Sequence, residues 1–118
     1  MNAVRSTLLN KYLHFLDNHI QHILEQVQEE FLEINQIAEK LNISHSHLTD
    51  SIQKETGHHP CYFYDLKIIE AAKELLLNEQ FSIAEVARRL TYDPSNFSKF
   101  FKKFTGITPG EFRKNCHK

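Results

Sequence analysis

The sequence predicts an all-α fold in which two helix-turn-helix units are joined by a long linker helix and preceded by an extra N-terminal helix. Three observations predict it. Helix breakers are scarce: 118 residues hold three Gly and three Pro, and the first Gly is Gly57. Apolar residues recur at the three- and four-residue spacing of helix faces rather than in alternation. One pattern also occurs twice at a fixed offset of 49 residues. Ile34, Ile37, Ala38, Leu41, Ile43, Leu48, Ile52, Thr56, Gly57, Pro60 and Phe63 form the first copy. Ile83, Val86, Ala87, Leu90, Tyr92, Phe97, Phe101, Thr105, Gly106, Pro109 and Phe112 form the second. A solenoid needs at least about three stacked repeats, so two copies read as one module with two equivalent units.

Residues 1 to about 30 contain no Gly or Pro. Leu9, Leu13, Leu16, Ile20, Ile23 and Val27 are spaced 4, 3, 4, 3, 4, an a/d pattern over almost three heptads. Two readings stay open here. One is the seam of a homodimer. The other is an amphipathic helix, broken near Asp17 and Asn18, that packs on its own domain.

The first unit spans about residues 31–57. Its first helix is expected over residues 34–41, followed by the turn Asn42-Ile43-Ser44, with Ser44 as cap of the next helix. That helix buries Leu48 and Ile52 and shows Ser46, Thr49, Asp50 and Gln53 on its outer face. Residues 61–78 read as a linker helix, with Leu66, Ile69, Ala72, Leu75 and Leu76 apolar. In the second unit Ser82 is the expected cap, with Glu85 three residues on as in a capping box. Pro94 suits the first turn of the last long helix. Phe97, Phe100, Phe101 and Phe104 give that helix an apolar face, and Ser95, Ser98, Lys99, Lys102 and Lys103 give it a polar and basic one. Gly106 ends it and Pro109 follows.

Charge is unevenly spread. Residues 1–81 hold 6 Lys/Arg against 12 Asp/Glu, and residues 82–118 hold 8 against 3, within a formal net charge of −1. Phosphate binding depends on local neutralisation, so a basic half can grip nucleic acid within a neutral whole. No apolar run approaches the roughly 20 residues of a membrane span, and no secretory signal is visible. Cys61 and Cys116 lack metal or redox spacing and read as reduced thiols. The expectation is a cytoplasmic protein. The eight His show no zinc-ligand spacing and no H-E-x-x-H motif, so no metal and no cofactor are expected. His45, His47, His58 and His59 flank the first outward helix, where they would favour phosphate as they gain charge at falling pH. With no Gly-rich phosphate loop and no nucleophile motif, no enzyme is expected.

The chain resembles the DNA-binding domain of the AraC/XylS family of bacterial transcription regulators over residues 20–115. The most specific stretch is the run of residues 83–113, above all Asn96-Phe97-Ser98-Lys99-Phe100-Phe101-Lys102-Lys103 and Thr105-Gly106-Ile107-Thr108-Pro109. The resemblance implies homeodomain-like three-helix subdomains: a first unit over residues 19–60, a linker helix over 61–78, a second unit over 79–118, and residues 1–18 as an N-terminal extension or a linker helix. It implies double-stranded DNA as partner and RNA polymerase as a further one, with two recognition helices about 34 Å apart. Helix geometry and the resemblance together place Ser44, His45, Ser46, His47, Thr49, Asp50, Gln53 and Lys54 of the first unit at the DNA. From the second unit they place Arg88, Arg89, Ser95, Asn96, Ser98, Lys99, Lys102 and Lys103 there. Phosphates fall to Lys99, Lys102, Lys103 and Arg88 or Arg89. Bases fall to Ser46, His47, Thr49, Asp50, Gln53, Ser95, Asn96 and Lys99. The chain departs from the family at Asp50, where a basic residue is common, at Thr91, where Gly is usual, and at Ile68, where many relatives carry Arg. The alternative is a protein-interaction module that uses the acidic N-terminal half.

Overall fold

After the first, each helix begins where the chain supplies a partner for its free N–H groups, and these starts explain the order of elements. The computed structural model describes residues 7–26 and 30–116. Its helices are α1 (Thr7–Leu24), α2 (Ile34–Lys40), α3 (His45–Thr56), α4 (Pro60–Leu76), α5 (Ile83–Arg89), α6 (Pro94–Thr105) and α7 (Pro109–Cys116). Ser44 Oγ accepts from the His47 amide at 3.0 Å to start α3. Ser82 Oγ accepts from the Glu85 amide at 3.0 Å to start α5. Asp93 does the same for α6, accepting from Ser95 and Asn96, with Pro94 next in line. Each such cap contributes about 1 kcal/mol. The expected capping box at α5 is only half formed, because the Glu85 carboxylate pairs with Arg89. A reciprocal box forms instead at α7: Glu111 donates its amide to Thr108 Oγ1, and Thr108 donates its amide to Glu111 Oε1. Pro109, read above as following the end of the last long helix, opens this further helix.

The 49-residue repeat extends to the backbone. Asn42 and Thr91 sit in the left-handed region within the two turns, as do Gly57 and Gly106 at the ends of α3 and α6. The amides of Ile43 and Tyr92 reach back to the carbonyls of Ala38 and Ala87. Thr56 Oγ1 donates to the Ile52 carbonyl, and Thr105 Oγ1 to that of Phe101. Equivalent side chains thus close equivalent turns.

Two cores result, and α4 contributes to both. The first gathers Leu9, Tyr12, Leu16 and Ile20 of α1 with Ile34, Ile37, Ala38, Leu48, Ile52, Tyr64 and Ile68. The second gathers Ile69, Ala72 and Leu76 with Val86, Ala87, Leu90, Phe97 and Phe101. Ile68, the position where relatives carry Arg, is a core residue here. Neighbouring Lys67 is tied to Asp17 of α1 at 2.7 Å. Aromatic rings bridge the cores: Phe31 stands edge-on to Tyr64 and 6.3 Å from Tyr92.

At the N-terminus one expectation is corrected and one choice between readings is made. α1 runs unbroken through Asp17 and Asn18. Of the two readings left open for its a/d face, packing on its own domain is the one seen, with Leu9, Leu16, Ile20 and Ile23 buried within the chain itself. Val27, the last of that pattern, lies outside the described residues. Tyr12 fixes the helix further, donating its hydroxyl to the Pro60 carbonyl at 2.7 Å. Residues expected to form an extension therefore help build the first core.

One buried polar residue also holds this region. His19 Nε2 accepts the Leu32 amide at 3.0 Å, and Tyr64 donates its hydroxyl to the Leu32 carbonyl at 2.8 Å. The ring lies among Phe15, Phe31 and Tyr64. Burial there pushes the imidazole pKa down, and His22 adds to the effect.

Candidate nucleic-acid interface

The outer faces of α3 and α6 are set by what lies behind them. Leu48 and Ile52 anchor α3, while Phe97 and Phe101 anchor α6. At about 100° per residue, Ser46, Asp50 and Gln53 point away from the first pair, and Ser95, Lys99 and Lys102 from the second. All six are exposed, as are His45, His47, Lys54, Asn96 and Lys103. Ser44 is exposed and already accepts the His47 amide. Thr49 and Ser98, equivalent by the offset, flank their helices half-buried, and Thr49 Oγ1 is buried without a hydrogen-bond partner among the described residues.

The first face divides in two. His45, Ser46, Thr49 and Asp50 line one open cleft together with His59. His47 and Lys54 lie on the other flank, in a groove shared with Leu8, Ser51 and Glu55. His59, named above only as one of four histidines flanking this helix, shares the cleft directly. It arrives by capping α4, its Nδ1 accepting the Cys61 amide at 3.1 Å. The signal for it in the sequence is a polar residue directly before Pro60, at a helix start.

The basic residues of the second unit are not equivalent. Arg88 is exposed. Arg89 lies over the Phe81 ring at 4.3 Å and donates to Glu85 at 3.2 Å, so its guanidinium is engaged within its own unit. Of the two arginines, only Arg88 has no hydrogen-bond or ion-pair partner among the described residues. Lys103 faces α4: burial pushes the Asp65 carboxyl up, and the Lys103 ammonium pulls it part of the way back. Lys102 has a weaker counterpart in exposed Glu111, whose carboxyl is held down first by its hydrogen bonds with Thr108 and last by the Lys102 ammonium, while Lys99 carries no such link among the described residues. Among the described residues no three His, Cys, Asp or Glu side chains group as metal ligands, and both cysteines are free and exposed. No helix among them is long and apolar enough to cross a membrane.

Two helix-turn-helix units on one connecting helix define a recognisable architecture. A helix-turn-helix domain family matches residues 37–115. The arabinose operon regulatory protein of Escherichia coli is 30% identical over 118 residues, covering 95% of this chain and 40% of that protein. The chain belongs to the AraC/XylS family. A second relative within this family, the Msm operon regulatory protein of Streptococcus mutans, is 34% identical over 99 residues, covering 82% of this chain and 35% of its own length. The chain therefore spans well under half of these AraC-type relatives. The C-terminal domain of AraT, a response regulator from Geobacillus stearothermophilus, superposes with a TM-score of 0.80 at 28% identity, covering 96% of this chain and 88% of that one.

Proposed function

We propose that the chain is the sequence-specific, double-stranded DNA-binding module of a transcription regulator, and that α3 and α6 enter two adjacent major-groove segments. One observation carries the reading: two equivalent recognition helices, exposed on their polar faces, are mounted through separate cores on a single helix, α4. The longest dimension of the molecule is 42 Å, enough to span one helical repeat of DNA, about 34 Å. Phosphates are held by Lys99, Lys102 and Arg88. Bases are read by Ser46, Asp50 and Gln53 in one groove segment and by Ser95, Asn96 and Lys99 in the next. In this division the first unit is residues 19–60 with the support of α1, the linker is 61–78, and the second unit is 79–118. In the whole protein the further partner is RNA polymerase. Self-association would use a surface other than the a/d face of α1.

Selection from a random duplex pool, sequenced after rounds at two salt concentrations, tests this. Two conserved patches about one turn apart are the expected result. An unenriched pool at both salts would refute the proposal and favour the protein-interaction reading.

A further inference from the structure

We infer that the first unit selects a cytosine and that Asp50 selects it. This rests on the DNA-binding reading above and adds the base to it. Leu48 and Ile52 define the inner side of α3, and Asp50 falls opposite them, exposed. Among the described residues its carboxylate has no hydrogen-bond or ion-pair partner. An ionised carboxylate only accepts hydrogen bonds. Guanine and thymine turn acceptors toward the major groove and repel it. Adenine offers its N6 amino group beside the N7 acceptor. Cytosine alone offers an amino group with no acceptor on the same base edge. A free carboxylate in the middle of a groove-facing helix therefore matches one base.

The surroundings suit a carboxylate that must work near phosphates. Ser46 and His59 share the cleft with Asp50. Because His59 Nδ1 accepts the Cys61 amide, the neutral ring carries its proton on Nε2 and offers a donor. That donor comes from α4's cap rather than from α3, so it is available to a backbone oxygen while Asp50 takes the base. In the second unit the position equivalent to Asp50 is Lys99, a donor-only side chain that matches guanine O6 and N7. The two units share a backbone and have opposite hydrogen-bond polarity at the same helix position.

The test compares the full chain with Asp50→Asn and Asp50→Ala in the same duplex selection. Neither substitution removes an internal contact, so both variants keep the fold. The wild type should conserve a cytosine in one of two patches. Asn pairs with adenine N6 and N7, so Asp50→Asn should exchange that cytosine for adenine and leave the other patch unchanged. Asp50→Ala should level the preference, lowering discrimination at that position about tenfold. Two patches in which both variants return the same bases would overturn the inference while leaving the DNA-binding proposal intact. So would a single patch, or a conserved base other than cytosine at the affected position. A wild-type pool with no enrichment would overturn both.

Discussion

Asn42 and Thr91, 49 residues apart, hold the same left-handed backbone conformation, each with a φ of 62°. Each closes the turn before a recognition helix. Asn tolerates this region, whereas a β-branched residue there is a strained outlier. Replacing Thr91 by Gly or Asn should therefore stabilise the protein by about 1 kcal/mol. Thermal denaturation would show a rise of a few degrees, and an unchanged or lower midpoint for both variants would contradict the strain.

His19 should make stability fall on acidification. Its imidazole titrates below its ordinary 6.5 in the folded chain because burial disfavours the charged form. The unfolded chain then binds a proton first, so stability is full above about pH 6.5 and declines as pH falls below it, by at most about 1.4 kcal/mol per pH unit for this one group. The decline ends once folded His19 itself protonates and releases the Leu32 amide. Urea titrations at several pH values should show a shallower decline for His19→Gln, whose side-chain oxygen can accept the same amide without titrating.

Arg113 joins α7 to the end of α4, donating from Nε to the Leu76 carbonyl at 2.8 Å and from a terminal nitrogen to that of Asn78. Arg113→Ala should cost about 1.5–3 kcal/mol, as expected for a charged hydrogen bond to a half-buried carbonyl, that of Leu76, the bond to Asn78 being exposed. Arg113→Lys should recover little, since an ammonium cannot span both acceptors as the guanidinium does. Chemical denaturation midpoints would decide it.

Leu16 is fully buried in the first core. Leu16→Ala should lose about 2–5 kcal/mol, and the loss should be the same at every protein concentration. A penalty that shrank as concentration rose would mean that α1 packs against a second copy.

The lysines of α6 should separate by role. Lys102→Ala should weaken binding to cognate and scrambled duplexes alike and lower the salt slope by about 1. Lys103→Ala should change the slope less, because half-buried Asp65 already faces it, whereas the Glu111 carboxylate beside Lys102 is exposed and screened by solvent. Lys99→Ala should narrow the gap between cognate and scrambled sites. Fluorescence anisotropy across a salt series reads all three.

How much was legible follows from where each residue's partner lies. The caps at Ser44 and Ser82 depend on atoms three residues away, and local spacing suffices to find them. The repeat was visible because equivalent turns need the same residue types, such as Thr56 with Gly57 and Thr105 with Gly106. The role of α1 was not legible: an a/d stripe looks the same whether it meets another chain or α3 and α4 of its own. The engagement of Arg89 and Lys103 was hidden for a similar reason, since Phe81 and Asp65 lie on other elements. Asp50 stood out from the start, but its cleft with His59 depends on how α4 begins.

Ile68 and Ile69 are consecutive residues, and they belong to different cores. One peptide bond in the middle of α4 thus separates the two packing environments, with no hinge between them. Fraying α4 from either side would strip both units at once, so the module should unfold in a single cooperative step. Amide protons in the middle of α4 should be the last to exchange with solvent, at a rate set by global unfolding.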